Sequence, residues 1–154
     1  MNFYVFYGSK KMSEITSYAH IKHNQVSVNG EIVFQSDASL PLTEFLSEVY
    51  KALGISYPKF HKMDAQCKLG FLCAEFAIKE SDFLAENDLS KTAIVLSNAA
   101  SSLETDRAYQ NSIADKSNYF PSPAVFVYTL PNITIGELAI KHKRKLQMEY
   151  FIGA

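Results

Sequence analysis

Residues 119–142 read Y-F-P-S-P-A-V-F-V-Y-T-L-P-N-I-T-I-G-E-L-A-I-K-H, and a short basic turn then leads to Q-M-E-Y-F-I at 147–152. Pro131 interrupts the first run, and Asn132 is a residue type whose side chain accepts from the unpaired N–H groups that open a helix. Ile135, Leu138 and Ala139 then recur at helical spacing, which predicts a helix over Ile133–His142. Gln147–Ile152 has the content of a strand. Upstream, Thr92–Ser97 (T-A-I-V-L-S) has the unbroken apolar character of a strand buried on both faces. A small-residue loop at 98–102, a weakly patterned helix at 103–113 and an irregular stretch at 115–123 lie between. Strands alternating with helices predict an α/β domain, its mixed sheet packed with helices.

The same reading extends to the start of the chain. Asn2–Tyr7 is rich in aromatics and valine and reads as a strand; 8–24 is polar and reads as a connecting loop. In V-S-V-N-G-E-I-V-F, Asn29-Gly30 lies between two β-branched runs and predicts a hairpin, because both central residues of that turn need positive φ. Leu42, Phe45, Leu46, Val49, Tyr50 and Leu53 give one helix an apolar face, with Ser39 expected as its cap and Gly54 just past its end. After Tyr57-Pro58, a second helix carries Leu69, Leu72, Cys73 and Phe76 on one stripe and Ala65, Ala74 and Ala77 elsewhere. Slim and poor in charge, it reads as a central helix covered on several sides.

With 154 residues the chain reads as a single domain, 1–154, large enough for a real core. A formal net charge of −1 argues against a dedicated nucleic-acid binder. No apolar run approaches the roughly 20 residues that span a bilayer, and the apolar start is too short for a signal-peptide core. Two cysteines, both in one predicted helix, fit a reduced, cytoplasmic protein better than a disulfide scaffold. Cys73 sits on the apolar stripe and reads as a core thiol; Cys67, half a turn away near Lys68, is only slightly better placed as a nucleophile. His20 and His23 lack further ligands at suitable spacing, so no metal site is read, and no cofactor is implied.

Four segments carry a resemblance. They are His61-Lys62-Met63-Asp64-Ala65; the strand at 92–97 with Ser102-Leu103-Glu104-Thr105 after it; Pro121-Ser122-Pro123 with Pro131-Asn132; and Gly136-Glu137-Leu138-Ala139-Ile140. In order and spacing they resemble the N-terminal half of β-ketoacyl-acyl-carrier-protein synthases, from about Pro58 onward. S-S-L-E-T-D-R-A-Y-Q and Y-F-P-S-P-A-V-F-V-Y-T-L-P-N look, more narrowly, like short ketosynthase-like proteins of aryl-polyene and flexirubin-type clusters. The resemblance implies a thiolase-like half-domain, incomplete relative to a full ketosynthase. It implies carrier-protein contacts at Lys59, His61 and Lys62, against the alternative of a merely solvated helix start. It also implies a dimer interface or acyl pocket at Phe120, Val125, Phe126, Val127, Tyr128 and Asn132, where core packing is the alternative.

The chain departs from the family as well. Asn98-Ala99-Ala100-Ser101 replaces a glycine-rich turn, and 142–147 lacks the family's glycines and proline. The sequence stops at about the point where the family's nucleophilic cysteine is expected, and the half that supplies two catalytic histidines is not in it. No catalytic residue is therefore assigned. The expected function is a non-catalytic ketosynthase-like subunit, paired with itself or with a complete ketosynthase, working with acyl carrier protein in fatty-acid or polyene assembly. One alternative is 3-oxoacyl-acyl-carrier-protein synthase activity with the cysteine and histidines supplied by another chain or a further segment. Another is a diverged α/β interaction domain. The basic run Lys141, Lys143, Arg144 and Lys145 reads either as cations at a helix C-terminus or as a contact for an anionic partner.

Overall fold

Two-residue turns organise the N-terminal sheet. In a computed structural model, which describes residues 2–8, 13–81, 93–117, 119–143 and 147–152, strands β1 (Asn2–Gly8), β2 (Ser13–Lys22), β3 (Gln25–Val28) and β4 (Glu31–Gln35) form an antiparallel meander in chain order. Asn29 and Gly30 take φ of 52° and 91°, as the hairpin reading requires. The Asn29 side-chain oxygen accepts from the Tyr18 N–H at 2.9 Å, and the Asn29 N–H donates to the Tyr18 carbonyl at 2.9 Å. The expected loop over 8–24 is instead largely strand β2. Two of its inward residues, Ser17 and Ala19, are polar or small and blunt the alternation signal that Ile21 alone carries. The turn that follows is also built without glycine: His23 and Asn24 have φ of 50° and 54°.

The residues group into two compact units, one from Met1–Pro58 and Lys68–Asn87, the other from Lys59–Cys67 and Asp88–Ala154. In the first, helix α1 (Leu42–Leu53) buries Phe45, Leu46, Val49 and Leu53, while Leu42 stays outside. Phe45 lies 6.2 Å from Phe34 of β4, ring centre to ring centre. Gly54 ends α1 in the left-handed region at φ 69°, its N–H on the Lys51 carbonyl. Pro41, not Ser39, occupies the capping position. Ser39 turns back instead, donating from its N–H (2.7 Å) and hydroxyl (2.6 Å) to one Asp37 oxygen. Those bonds, the hydroxyl's first, hold the Asp37 carboxyl below the usual carboxylate range.

Helix α2 (Ala65–Lys79) is buried continuously from Gly70 to Ile78, as its slim, charge-poor sequence predicts. Within the first unit its Phe71 stacks on Tyr57 at 5.2 Å, and the Cys73 thiol donates to the Ala19 carbonyl of β2 at 3.2 Å. That sulfur is fully enclosed, which makes Cys73 a core residue.

In the second unit β5 (Ala93–Asn98) and β6 (Gln147–Ile152) pair in parallel, Ala93 with Gln147 through Asn98 with Ile152. Between them lie α3 (Leu103–Ile113), α4 (Pro123–Val127) and α5 (Ile133–Lys141). The chain thus combines helices and strands, but the expected single mixed sheet is not seen: the described strands form an antiparallel sheet and a separate parallel pair. Connection length explains the two kinds of pairing, since the two-residue turns after β2 and β3 can join only antiparallel neighbours and a parallel pair needs a crossover. The expectation that β5 is buried on both faces is also corrected. Ile94 and Leu96 are buried, but Val95 is 57% exposed. Helix α4 was not foreseen: Ser122 accepts from the Val125 N–H at 3.3 Å and Pro123 starts the first turn, a pairing suited to a helix start. Asn132 does precede α5, yet its side chain makes no capping bond. No helix among the described residues is long and apolar enough to cross a membrane.

Candidate functional site

Pro58–Lys62 forms a 3-10 turn whose side chains divide by polarity. Phe60 is buried, with the Met63 N–H on its carbonyl at 3.2 Å, while Lys59, His61 and Lys62 point to the exposed side. The His61 ring stands edge-on to Phe60, with centroids 5.9 Å apart. The three predicted carrier-protein residues are therefore presented on one short turn anchored by an aromatic plug. They are not equivalent. Lys59 Nζ is 3.7 Å from Glu137 Oε2 of α5, and Glu137 is itself buried. Lys59, half-exposed, thus shares its charge with a carboxylate of its own unit.

Two residues on, Asp64 joins the unit together. One carboxylate oxygen accepts from the Cys67 N–H at 2.7 Å, capping α2 at its third helical residue. The other accepts from the Thr105 hydroxyl of α3 at 2.5 Å. Thr105 and Ser102 are both buried; the Ser102 hydroxyl lies 2.7 Å from the Thr129 carbonyl and 3.1 Å from an Asp106 oxygen. Tyr128 completes the cluster. Its hydroxyl is pushed up to about 12, first by burial and then by the nearby Cys67, Glu137 and Asp64, whose negative forms oppose a phenolate. Cys67 is 1% exposed, without the access that a nucleophilic thiol requires.

The predicted interface residues fall into two groups. Phe120 (79% exposed), Phe126 and Val127 lie on the surface with the polar Asn132, and Val125 is half-buried. Phe126 leans on Tyr109 of α3, with ring centres 5.3 Å apart. Tyr128 is an interior residue, only 8% exposed, because α4 ends just before it and turns it inward. Of the basic run after α5, Lys141 is half-buried and Lys143 exposed; Arg144 and Lys145 lie outside the described residues. His20, expected in a loop, sits on β2 with its Nδ1 3.0 Å from the Ser27 hydroxyl. The Asp64–Thr105 bond, between distant positions, leaves no mark in the sequence, although an Asp directly before an Ala-rich helix is a capping signal.

No family model, no curated protein and no solved structure matches the chain.

Proposed function

We propose that the chain is a non-catalytic, ketosynthase-like subunit with a thiolase-like half-fold, acting in the cytoplasm with a condensing enzyme, or with a second copy of itself, in fatty-acid or polyene assembly. In this reading the turn Pro58–Lys62 docks an acyl carrier protein. The observation that carries it is how the resembling segments bond to one another. Asp64 of the K-M-D-A segment holds Thr105 of S-L-E-T. Ser102 of the same segment reaches Thr129, close to Pro131-Asn132. Lys59 pairs with Glu137 of G-E-L-A-I. The parallel β5–β6 pair, with helices between its strands in sequence, has the crossover connection that α/β folds use. Burial of both thiols supports a supporting rather than a nucleophilic role.

Docking by an acidic partner rests on the exposed Lys62 and His61 more than on Lys59, whose charge is shared with Glu137. The test is binding of purified acyl carrier protein to the full chain by biolayer interferometry across a salt series. The reading expects binding that weakens with salt and a loss of roughly tenfold or more on Lys62→Glu. Absence of binding at low salt, or binding indifferent to Lys62→Glu and His61→Ala, overturns it.

A further inference from the structure

The outer face of the antiparallel sheet carries a cluster that carrier-protein docking does not use. Alternation along β2 turns Ala19 and Ile21 into the core and puts His20 and Lys22 on the other face. Register then sets Ser27 of β3 directly across from His20, and Gln25 across from Lys22. With His23 of the turn and Ile32 of β4, these residues line a cleft of about 310 Å³. That volume is at the small end of ligand sites.

The lining is rich in donors and one-sided in charge. It offers an ammonium, two imidazoles, a hydroxyl and an amide, and no carboxylate is among the described residues that line it. The donors are also held in place. The Ser27 hydroxyl lies 3.0 Å from His20 Nδ1, which orients the ring and leaves Nε2 as its other polar atom. His23 is kept in the left-handed region, uncommon for a residue with a side chain. Its neighbour explains why the turn holds: Asn24 Nδ2 donates to the Asp37 and Leu40 carbonyls at 2.8 and 2.9 Å, and the Ser36 N–H donates to the Asn24 carbonyl at 3.0 Å. Buried Ala19, Ile21, Val26 and Val28 fix the platform from behind.

We infer that this cleft binds a small phosphomonoester. Lys22, His20 and His23 take the phosphate oxygens, and Gln25 and Ile32 flank the organic part. A phosphate, with three acceptor oxygens and close to two negative charges, matches three separated cationic or N–H donors better than a two-oxygen carboxylate does.

The probes are ribose 5-phosphate and inorganic phosphate, titrated into the full chain at constant ionic strength and followed through the imidazole ¹H–¹⁵N signals of His20 and His23. The expected result is saturable movement of both signals, with the ester tighter than the free ion. Lys22→Ala and His20→Ala each weaken binding roughly tenfold, the loss of one charge-assisted bond. Lys22→Arg retains it, and circular dichroism is unchanged in all three variants. Non-saturating shifts, or an equal response to matched chloride, overturn the site. Inorganic phosphate binding as tightly as the ester overturns the assignment of a phosphomonoester.

Discussion

Replacing Asp64 with alanine removes two hydrogen bonds to one carboxylate, and the size of the effect follows from what each bond does. The bond to the Cys67 N–H, at 2.7 Å, is a helix cap, and loss of such a cap costs about 1 kcal/mol. The bond from the Thr105 hydroxyl, at 2.5 Å, is made to a charged acceptor, a class that contributes about 1.5–3 kcal/mol. Asp64→Ala is therefore expected to destabilise by about 2.5–4 kcal/mol. Asp64→Asn keeps the cap, because asparagine caps as well as aspartate, and is expected to cost about 1 kcal/mol. Thr105→Val removes only the second bond. Urea unfolding of wild type, Asp64→Ala, Thr105→Val and their double variant, compared at constant slope, gives the coupling between the positions. It is expected to exceed about 0.5 kcal/mol. Additive single effects, or an Asp64→Ala variant within about 0.5 kcal/mol of wild type, would refute the view that this carboxylate ties α2 to α3.

Two further outcomes are expected. Tyr128, with its hydroxyl raised to about 12, stays protonated in the folded chain after an unfolded tyrosine has begun to ionise near pH 10. Its contribution to stability is therefore complete below about pH 10 and is lost between there and about pH 12; the difference in phenolate absorbance between wild type and Tyr128→Phe reads this directly, and a contribution from Tyr128 near pH 10 would contradict it. Asn24→Ala loses two side-chain bonds to Asp37 and Leu40 and places alanine at a φ of 54°; about 2–3 kcal/mol of destabilisation is expected in thermal unfolding, with Asn24→Gly milder because glycine accepts that backbone angle.

What was legible in the sequence was whatever had a local cause. Asn29-Gly30 marked its hairpin because positive φ at both positions suits few residues, and the periodic apolar residues of α1 marked a helix that ends at Gly54 as expected but starts after Pro41 rather than at Ser39. Strand β2 was hidden because its buried positions include Ser17 and its turn uses His23-Asn24, a pair with no glycine to announce it. Helix α4 was hidden by its β-branched residues, although Ser122-Pro123 already had the chemistry of a helix start. At the candidate site, the basic turn was visible as composition. Its ion pair with Glu137 was not, because Lys59 and Glu137 are far apart in sequence and meet only through the packing of α5. The His20–Ser27 pair depended on a strand register, which no reading of 13–24 as a loop could supply.

The crossover between β5 and β6 also sets an order of assembly. Each turn of the β1–β4 meander joins neighbours in sequence, so its closure is short-range and fast. Ala93 pairs with Gln147 across a long intervening segment that holds α3, α4 and α5, and the entropy of closing that loop opposes the first ladder bond. Loop closure thus adds to the barrier for the parallel pair a cost that the meander's short turns do not carry. Destabilising substitutions in α3 and α5 are therefore expected to slow the pairing of β5 with β6, and those within the strands to speed its loss.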